Sequence, residues 1–200
     1  MNHLHITNTN PPQITIIGGG AAGLMAAATL LESGQDCLVH LFEKNKSLGA
    51  KVIISGGGRC NVTTGLTNVQ QILKKYPRGG QFLKAALSKF SPLKVYDWFE
   101  EHGVPLKTEE DLRVFPVSDD GHDIVQVFTD ILARHTAELH LLTSVKEITK
   151  EGERFIIKTT HQDFSVDYVI ICTGGNSYRH TGSTGDGYAF AKTLGHTITP

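Results

Sequence analysis

Three glycines near the N-terminus have the spacing of a phosphate-binding turn. Gly18, Gly20 and Gly23 form the pattern G-x-G-x-x-G between an apolar run that begins at Ile14 and a helix-forming run that ends at Leu31. The first glycine permits a tight turn, the second lets the backbone approach a pyrophosphate, and the third lets the helix pack closely on the strand. Free N–H groups of the first helical turn then face the anion. The spacing predicts a bound dinucleotide; the alternative is a glycine turn that serves packing alone.

An acidic residue at the end of the next strand supports the dinucleotide. Residues 37–43 form a second apolar strand, and its last residue, Glu43, lies twenty positions beyond Gly23. A carboxylate at this position accepts hydrogen bonds from ribose hydroxyls. The order of strand, glycine turn, helix, strand and acid argues against the alternative, which is an ordinary surface glutamate at a strand end.

A second glycine-rich run, at residues 55–61, is followed by polar side chains. Three consecutive glycines each cost about 1 kcal/mol relative to alanine in a regular element, so the run predicts a loop lined by backbone. Arg59 and Asn61 are the donor-bearing side chains of this loop. They are the candidate catalytic residues, because the glycines allow close approach of a reacting group. The alternative for Arg59 is an ion pair with a carboxylate that holds the loop.

The other reactive residues do not form a recognisable site. Cys37, Cys60 and Cys172 are widely spaced and match neither a disulfide framework nor a C-x-x-C motif. Acidic residues and His122 cluster at positions 119–123, but their spacing fits no calcium loop or zinc signature. That cluster predicts a turn and a helix N-terminus, and we predict no metal site in the chain.

Composition limits the partners of the protein. The 200 residues carry a net charge of -1, which gives no electrostatic basis for binding nucleic acid or an anionic membrane. The apolar run 21–31 is too short to span a bilayer. Unpaired cysteines suit a reducing compartment, so we expect a cytoplasmic protein that acts on a small molecule, with no nucleic-acid or membrane partner.

Helical and strand patterns along the chain predict the elements that position these residues. We predict that residues 1–12 form a disordered N-terminal segment and that residues 13–200 form one domain. Helical patterns cover 69–75, 81–90, 92–102 and 124–134, and a β-meander is predicted from strands at 139–145, 148–149, 154–160 and 164–166. A last apolar strand at 167–172 leads into another glycine turn and a helix. The fold class is α/β: a Rossmann-like parallel sheet with an inserted β-meander and a helical insertion.

This order resembles the FAD-binding domains of the glutathione reductase and fumarate reductase type. More narrowly, the sequence resembles the aminoacetone oxidase-like, BaiN/YhiN-type FAD-binding proteins, a family of NAD(P)/FAD-dependent oxidoreductases. The segments that carry the resemblance are residues 51–62, 113–118 and 173–188. The resemblance covers about residues 14–200. It implies FAD as the cofactor rather than NAD.

The resemblance also implies the cofactor contacts. The glycine turn would serve the pyrophosphate, Glu43 the adenosine ribose, Val145 the adenine through its backbone, and residues 55–61 the flavin. The complete set of implied cofactor-binding residues is Gly18, Gly20, Ala21, Ala22, Gly23, Glu43, Lys44, Lys51, Ser55, Gly56, Gly57, Gly58, Arg59, Cys60, Asn61, Val145, Thr173, Gly174, Gly175, Gly185, Asp186 and Gly187.

The implied activity is that of an FAD-dependent oxidoreductase that transfers a hydride or an electron pair between FAD and a small organic substrate. A second nicotinamide-type glycine motif is absent from the sequence, so NAD(P)H is expected only as a transient donor. Family members are longer, and an inserted substrate domain and a C-terminal closing segment are expected to be missing here. Self-association or a complementing C-terminal segment is therefore expected. The alternatives are a non-catalytic FAD-binding fragment and an RNA-modifying or RNA-associated flavoprotein, which the lack of basic charge disfavours.

Overall fold

The computed structural model describes residues 10–135 and 137–199, so most of the predicted disordered lead, residues 1–9, lies outside the described residues. Contacts between Cα atoms divide the chain into two compact units. The first unit combines residues 1–51 with 130–200, and the second comprises residues 52–129. The second unit thus lies inside the stretch that the sequence analysis treats as one domain.

The described residues form ten strands and seven α-helices. The strands are β1 (Gln13–Ile17), β2 (Leu38–Phe42), β3 (Thr63–Thr64), β4 (Leu106–Thr108), β5 (Arg113–Pro116), β6 (Ala137–His140), β7 (Val145–Glu151), β8 (Arg154–Thr159), β9 (Asp163–Val166) and β10 (Tyr168–Ile171). The helices are α1 (Ala21–Glu32), α2 (Ala50–Ile54), α3 (Val69–Leu73), α4 (Gly80–Lys89), α5 (Pro92–Glu101), α6 (Gly121–Arg134) and α7 (Asp186–Thr193).

The first unit is built on a parallel sheet with strand order β10-β1-β2-β6. Ile16, Val39 and Leu41 are completely buried in it, as expected for parallel strands that are covered on both faces. Helix α1 lies against β1 and β2, while β8 and β9 contact β10 and β1. This arrangement confirms the predicted Rossmann-like α/β class.

The β-meander of the first unit consists of β7, β8 and β9, which pair in antiparallel order. Its inner face shares a core with β1 and α7 through Ile17, Ile148, Ile157, Val166 and Phe190, each less than a tenth exposed. The meander therefore supports the strands that end at the glycine turns.

One predicted strand of the meander is wrong. The run 139–145 is two elements, because β6 ends at His140 in parallel pairing with β2 and β7 begins at Val145. Leu142 between them has φ +53, a left-handed conformation that interrupts an extended strand. The apolar character of the sequence continues through this turn, so hydrophobicity alone does not show the break.

The second unit contains the predicted helices α3, α4 and α5. It also contains a small antiparallel sheet of order β3-β5-β4 that was not predicted from the sequence. The three helices lie within two residues of their predicted bounds. Ser91 caps α5 by accepting a hydrogen bond from the Lys94 N–H at 3.3 Å, and Pro92 occupies the first turn. Trp98 stacks on Phe128 with ring centroids 5.3 Å apart, so its ring serves packing.

Across the described ranges 10–135 and 137–199, none of the helices combines the length and the hydropathy that crossing a bilayer requires.

Candidate functional site

The turn after β1 needs glycine at two positions for packing. Gly18 has φ +107, and a Cβ atom there would lie 2.5 Å from the carbonyl oxygen of Cys172. A Cβ atom at Gly23 would overlap the carbonyl oxygen of Gly18, since α1 begins directly against the turn. Packing therefore requires glycine at these two positions, and the contact of both residues with the cofactor stays a prediction.

Packing does not explain Gly20. Its φ of -88° and ψ of -171° are open to any residue, and apart from its immediate chain neighbours no atom of the described residues lies within 4 Å of the position that a Cβ would take. Gly20 is the N-cap residue of α1, and no side chain in the described part of the chain caps this helix. Ala21 and Ala22, which follow it, are exposed. The space in front of the first-turn N–H groups is open, as an approaching pyrophosphate requires.

Glu43 is buried at the end of β2 and braces the glycine turn. One carboxylate oxygen, Oε2, accepts a hydrogen bond from the Gly19 N–H at 2.8 Å, and the other, Oε1, accepts one from the Asn45 N–H at 2.8 Å. Each carboxylate oxygen has a second lone pair, so both can accept a further hydrogen bond. The sequence analysis anticipated the position of this acid but missed its bracing contact with Gly19.

The end of β10 meets the same turn. The Cys172 N–H donates to the Ile17 carbonyl at 2.8 Å, and the Thr173 hydroxyl lies where a Cβ at Gly187 would have to be, so α7 begins against the strand end. Gly185, the N-cap residue of α7, has φ +84. Since β1 pairs with β2 on one side and with β10 on the other, this edge is a topological switch point, where α/β proteins bind ligands.

Lys44 and Asp186 bind each other at this edge. The Lys44 Nζ donates to the Asp186 carboxylate at 2.8 Å and to the Thr184 hydroxyl at 2.6 Å. The lysine hydrogen bond holds the pKa of Asp186 below its usual value. Sequence reasoning assigned both residues to the cofactor; their direct contact with it stays a prediction, while the structure gives them a role in tying α7 to the end of β2.

Two further predicted residues of the first unit also have internal partners. The Lys51 Nζ donates to the Ser183 hydroxyl at 2.6 Å and to the Ser177 carbonyl at 2.9 Å, which anchors the segment before α7. Val145 is half-buried at the start of β7, and the Thr143 N–H two residues earlier donates to the Glu43 carbonyl at 3.0 Å. The backbone near Val145 therefore lies beside Glu43, as a shared adenosine site requires.

The second unit contains the other predicted loop, residues 55–61. Gly56 and Gly57 adopt left-handed conformations with φ of +58 and +75, inside a short 3₁₀ turn that spans Ser55–Gly58. The Cys60 N–H closes the loop by donating to the Ser55 carbonyl at 2.9 Å. Cys60 itself is buried at φ +60, and burial raises the pKa of its thiol.

Arg59 and Asn61, the candidate catalytic residues, have structural partners within the second unit. The Arg59 Nη1 donates to Glu109 at 2.6 Å and to Asp119 at 3.3 Å, and its guanidinium lies 3.8 Å from the centre of the Phe115 ring. The Asn61 Oδ1 accepts from the Val114 N–H at 3.2 Å. Arg59 makes the ion pairs that the alternative anticipated, and the catalytic roles of Arg59 and Asn61 remain predictions.

The acidic cluster at residues 119–123 forms the predicted turn and helix start. The Asp120 carboxylate accepts a hydrogen bond at 2.8 Å from the backbone N–H of His122, the second residue of α6. Asp119 forms an ion pair with Lys107 at 2.5 Å. These contacts explain the polar composition of the cluster.

Comparisons with known proteins agree with this geometry. Residues 12–200 match the family described as the HI0933-like protein Rossmann domain. The chain is 29% identical over 188 residues to the 3-dehydro-bile acid delta(4,6)-reductase of Clostridium scindens, covering 94% of this chain and 45% of that protein. It is 30% identical over 190 residues to the ribosomal RNA dihydrouridine synthase of Haemophilus influenzae, covering 92% of this chain and 46% of that protein. The chain thus spans about half the length of these relatives.

Solved structures show the same fold at low identity. An open conformation of a flavocytochrome c3 fumarate reductase matches with a TM-score of 0.63 at 19% identity, over 96% of this chain and 42% of that chain. The 3-ketosteroid-delta4-(5alpha)-dehydrogenase of Rhodococcus jostii matches with a TM-score of 0.60 at 15% identity, over 87% of this chain and 48% of that chain. The chain belongs to the HI0933-like Rossmann-domain family, that of the BaiN/YhiN-type FAD-dependent oxidoreductases, and it has their Rossmann-like FAD-binding fold.

Proposed function

We propose that this chain binds FAD and forms the cofactor-binding part of an oxidoreductase that transfers a hydride or an electron pair between FAD and a small organic substrate. The observation that carries the proposal is Gly20. Its conformation does not require glycine and the surrounding protein leaves its Cβ position empty. A bound pyrophosphate supplies the missing reason for a glycine there.

The first unit supplies the groups that this binding needs. The N–H groups of Ala21 and Ala22, at the uncapped start of α1, would donate to the pyrophosphate, and the helix dipole would favour its negative charge. The free lone pairs of the Glu43 carboxylate would accept from the ribose hydroxyls. Because Glu43 is already held by two backbone N–H groups, its geometry does not depend on the cofactor.

The flavin side of the proposal rests on the family resemblance. Residues 55–61, including Arg59 and Asn61, would lie at the flavin and orient the reacting groups. When bound, FAD supplies two-electron redox chemistry at its isoalloxazine ring toward a small organic substrate, and NAD(P)H would act only as a transient electron donor. The protein's own residues position these groups and exclude water.

The substitution Gly20→Val tests the cofactor site. Valine fits the backbone conformation and the open space, so we expect only the small loss of stability that replacing an N-cap glycine causes, but FAD binding weakened at least about a hundredfold, a loss of about 3 kcal/mol. Thr29→Val, which also places a valine on α1 but on its exposed side beyond the first turn, is the matched control and should titrate like the parent. Binding of FAD would be followed by fluorescence quenching. Equal binding by the parent and by Gly20→Val would mean that the glycine pattern is only structural.

A titration with FMN tests which half of the cofactor is recognised. The turn at Gly20 and the carboxylate of Glu43 both address the adenine dinucleotide half, which FMN lacks. We therefore expect FAD to bind much more tightly than FMN. Equal affinity for the two would contradict the assignment of the first unit to the adenosine and pyrophosphate.

A ribosomal RNA substrate is the second candidate, because relatives from Haemophilus influenzae and Escherichia coli, 30% and 29% identical, are named ribosomal RNA dihydrouridine synthases. The net charge of -1 is the observation against it. Fluorescence anisotropy with a transcribed ribosomal RNA fragment at two salt concentrations separates the candidates. Affinity that falls steeply with salt would indicate phosphate contacts and favour RNA; absence of binding would favour a small substrate.

A further inference from the structure

Two neighbouring strands of the parallel sheet place two histidines and a glutamate together. In the pairing of β2 with β6, His40 lies opposite Glu138 and Phe42 lies opposite His140. Side chains alternate along a strand, so His40, Glu138 and His140 share one face of the sheet. This cluster belongs wholly to the first unit and none of its members is used in the proposed FAD site.

One atom from each side chain converges on a common point. The His40 Nδ1 lies 3.2 Å from the Glu138 Oε2 and 3.3 Å from the His140 Nε2, and the last two atoms are 3.6 Å apart. Ligands of one tetrahedral zinc ion lie about 3.3 to 3.6 Å apart, because the metal–nitrogen and metal–oxygen bonds are about 2.0 to 2.2 Å long. The triangle has the dimensions of one face of such a coordination sphere.

Hydrogen bonds alone satisfy this triangle poorly. If both rings donate to Glu138, two N–H groups of His40 and His140 face each other at 3.3 Å. If one ring instead donates to the other, its proton lies between the two nitrogen atoms. The accepting or donating geometry then leaves a nitrogen lone pair facing the Glu138 Oε2, with no proton between them. A metal cation can accept a lone pair from all three atoms at once, so no two lone pairs or N–H groups are left facing each other.

The surroundings orient the two rings and leave an entry path. Phe42 stacks on His140 with centroids 4.4 Å apart, and the Phe164 edge approaches the same ring at 5.1 Å. The His40 side chain is 6% exposed and that of Glu138 is 53% exposed. An ion could therefore enter from the glutamate side, where a water molecule would complete the coordination.

We propose that His40, Glu138 and His140 bind a divalent first-row transition-metal ion of the zinc class, which fastens the edge strand β6 to β2. Two imidazoles and one carboxylate suit such an ion and do not suit magnesium or calcium, which prefer oxygen ligands. No metal site is predicted from the sequence, because His40 is separated from Glu138 and His140 by about a hundred positions and the three residues form no local motif. The site does not depend on the proposed FAD function.

The test is a Zn²⁺ titration of the full chain, freed of any purification tag and dialysed against EDTA, in competition with a chromophoric chelator. We expect one ion per chain and binding at least about tenfold weaker in Glu138→Gln and His140→Ala. His196→Ala, which removes an exposed histidine outside the cluster, is the matched control and should bind like the parent. The control matters because the chain contains 10 histidines.

Two further measurements guard against misfolding and adventitious binding. Zn²⁺ should raise the thermal midpoint of the parent but not that of Glu138→Gln, whose half-exposed side chain can be replaced without loss of the fold. Co²⁺ should give the intense visible absorption of a four-coordinate site in the parent only. Equal zinc affinity of the parent and Glu138→Gln, or an equal midpoint shift with Mg²⁺, would overturn the proposal.

Discussion

The two glycine-rich segments differ in why they contain glycine. In the turn at residues 18–23, Gly20 has an ordinary backbone conformation and open space at its Cβ position. In the loop at residues 55–61, Gly57 has equally open space but a left-handed φ of +75. The backbone conformation accounts for the second glycine, while the first is the one that we propose to serve a ligand. A glycine-rich sequence therefore does not show whether a glycine is needed for its backbone conformation or for the space that it leaves.

The polar side chains of the two segments differ in the same way. Glu43 is held by backbone N–H groups and keeps unused lone pairs for a ligand. Arg59 is engaged by Glu109 and Asp119 and covers the Phe115 ring. A side chain that is placed by its neighbours and still has capacity to bind is the stronger candidate for a binding role. The following substitutions test this comparison, beginning with the largest expected effect.

Gly23→Ala should have the largest effect on stability. Its Cβ would overlap the Gly18 carbonyl oxygen, which is backbone and cannot move aside without displacing the turn. We expect a loss of about 3 kcal/mol or more in the free energy of unfolding, at the upper end for overpacking. Urea denaturation of the parent and the variant measures it. A variant as stable as the parent would show that α1 can move away from the turn.

Glu43→Gln should weaken FAD binding by about 1 to 3 kcal/mol, because the charge-assisted hydrogen bonds to the ribose would become neutral ones. The amide also presents a donor where the Gly19 or Asn45 N–H now donates, so the brace of the turn should loosen. Fluorescence titration with FAD, accompanied by a thermal melt without FAD, separates the two effects. Glu151→Gln makes the same chemical change at an exposed position of β7 in the first unit and serves as the control. Unchanged affinity for FAD would place the ribose elsewhere.

Gly57→Ala should lower the free energy of unfolding by about 1 to 2 kcal/mol, the cost of a left-handed conformation for a residue with a Cβ. The open space around Gly57 means that no steric overlap adds to this cost. Its effect should therefore appear in thermal stability, the opposite of the outcome expected for Gly20→Val. A Gly57→Ala variant of full stability would show that the loop can adopt another conformation.

Arg59→Ala should have the smallest effect on stability, because partly exposed ion pairs contribute little. We expect a thermal midpoint below that of the parent by less than the shift caused by Gly57→Ala. Added salt should reduce the difference, since it screens the pairs with Glu109 and Asp119. If Arg59→Ala instead retains stability and bound flavin but loses turnover, the residue has a catalytic role and the comparison between the two segments must be revised.

The sequence by itself was sufficient for features that depend on neighbouring residues. The G-x-G-x-x-G spacing and the acid at Glu43 predicted the turn, the helix and the strand end correctly, because turns, caps and short periodic elements are determined by local backbone preferences. The predicted start of α5 at residue 92 was likewise correct, since Ser91 and Pro92 are local signals of a helix start. The α/β class followed from the order of these local elements.

Only the tertiary structure decided which distant residues meet. It showed that Gly18 and Gly23 serve packing while Gly20 does not, and that β6 pairs with β2 rather than with the meander. It also brought Lys44 to Asp186 and His40 to Glu138. Strand order and register determine such contacts, and residues separated by about a hundred positions leave no trace of them in local periodicity. The contact between Lys44 and Asp186 at the candidate site could therefore be identified only from the arrangement of the strands and helices.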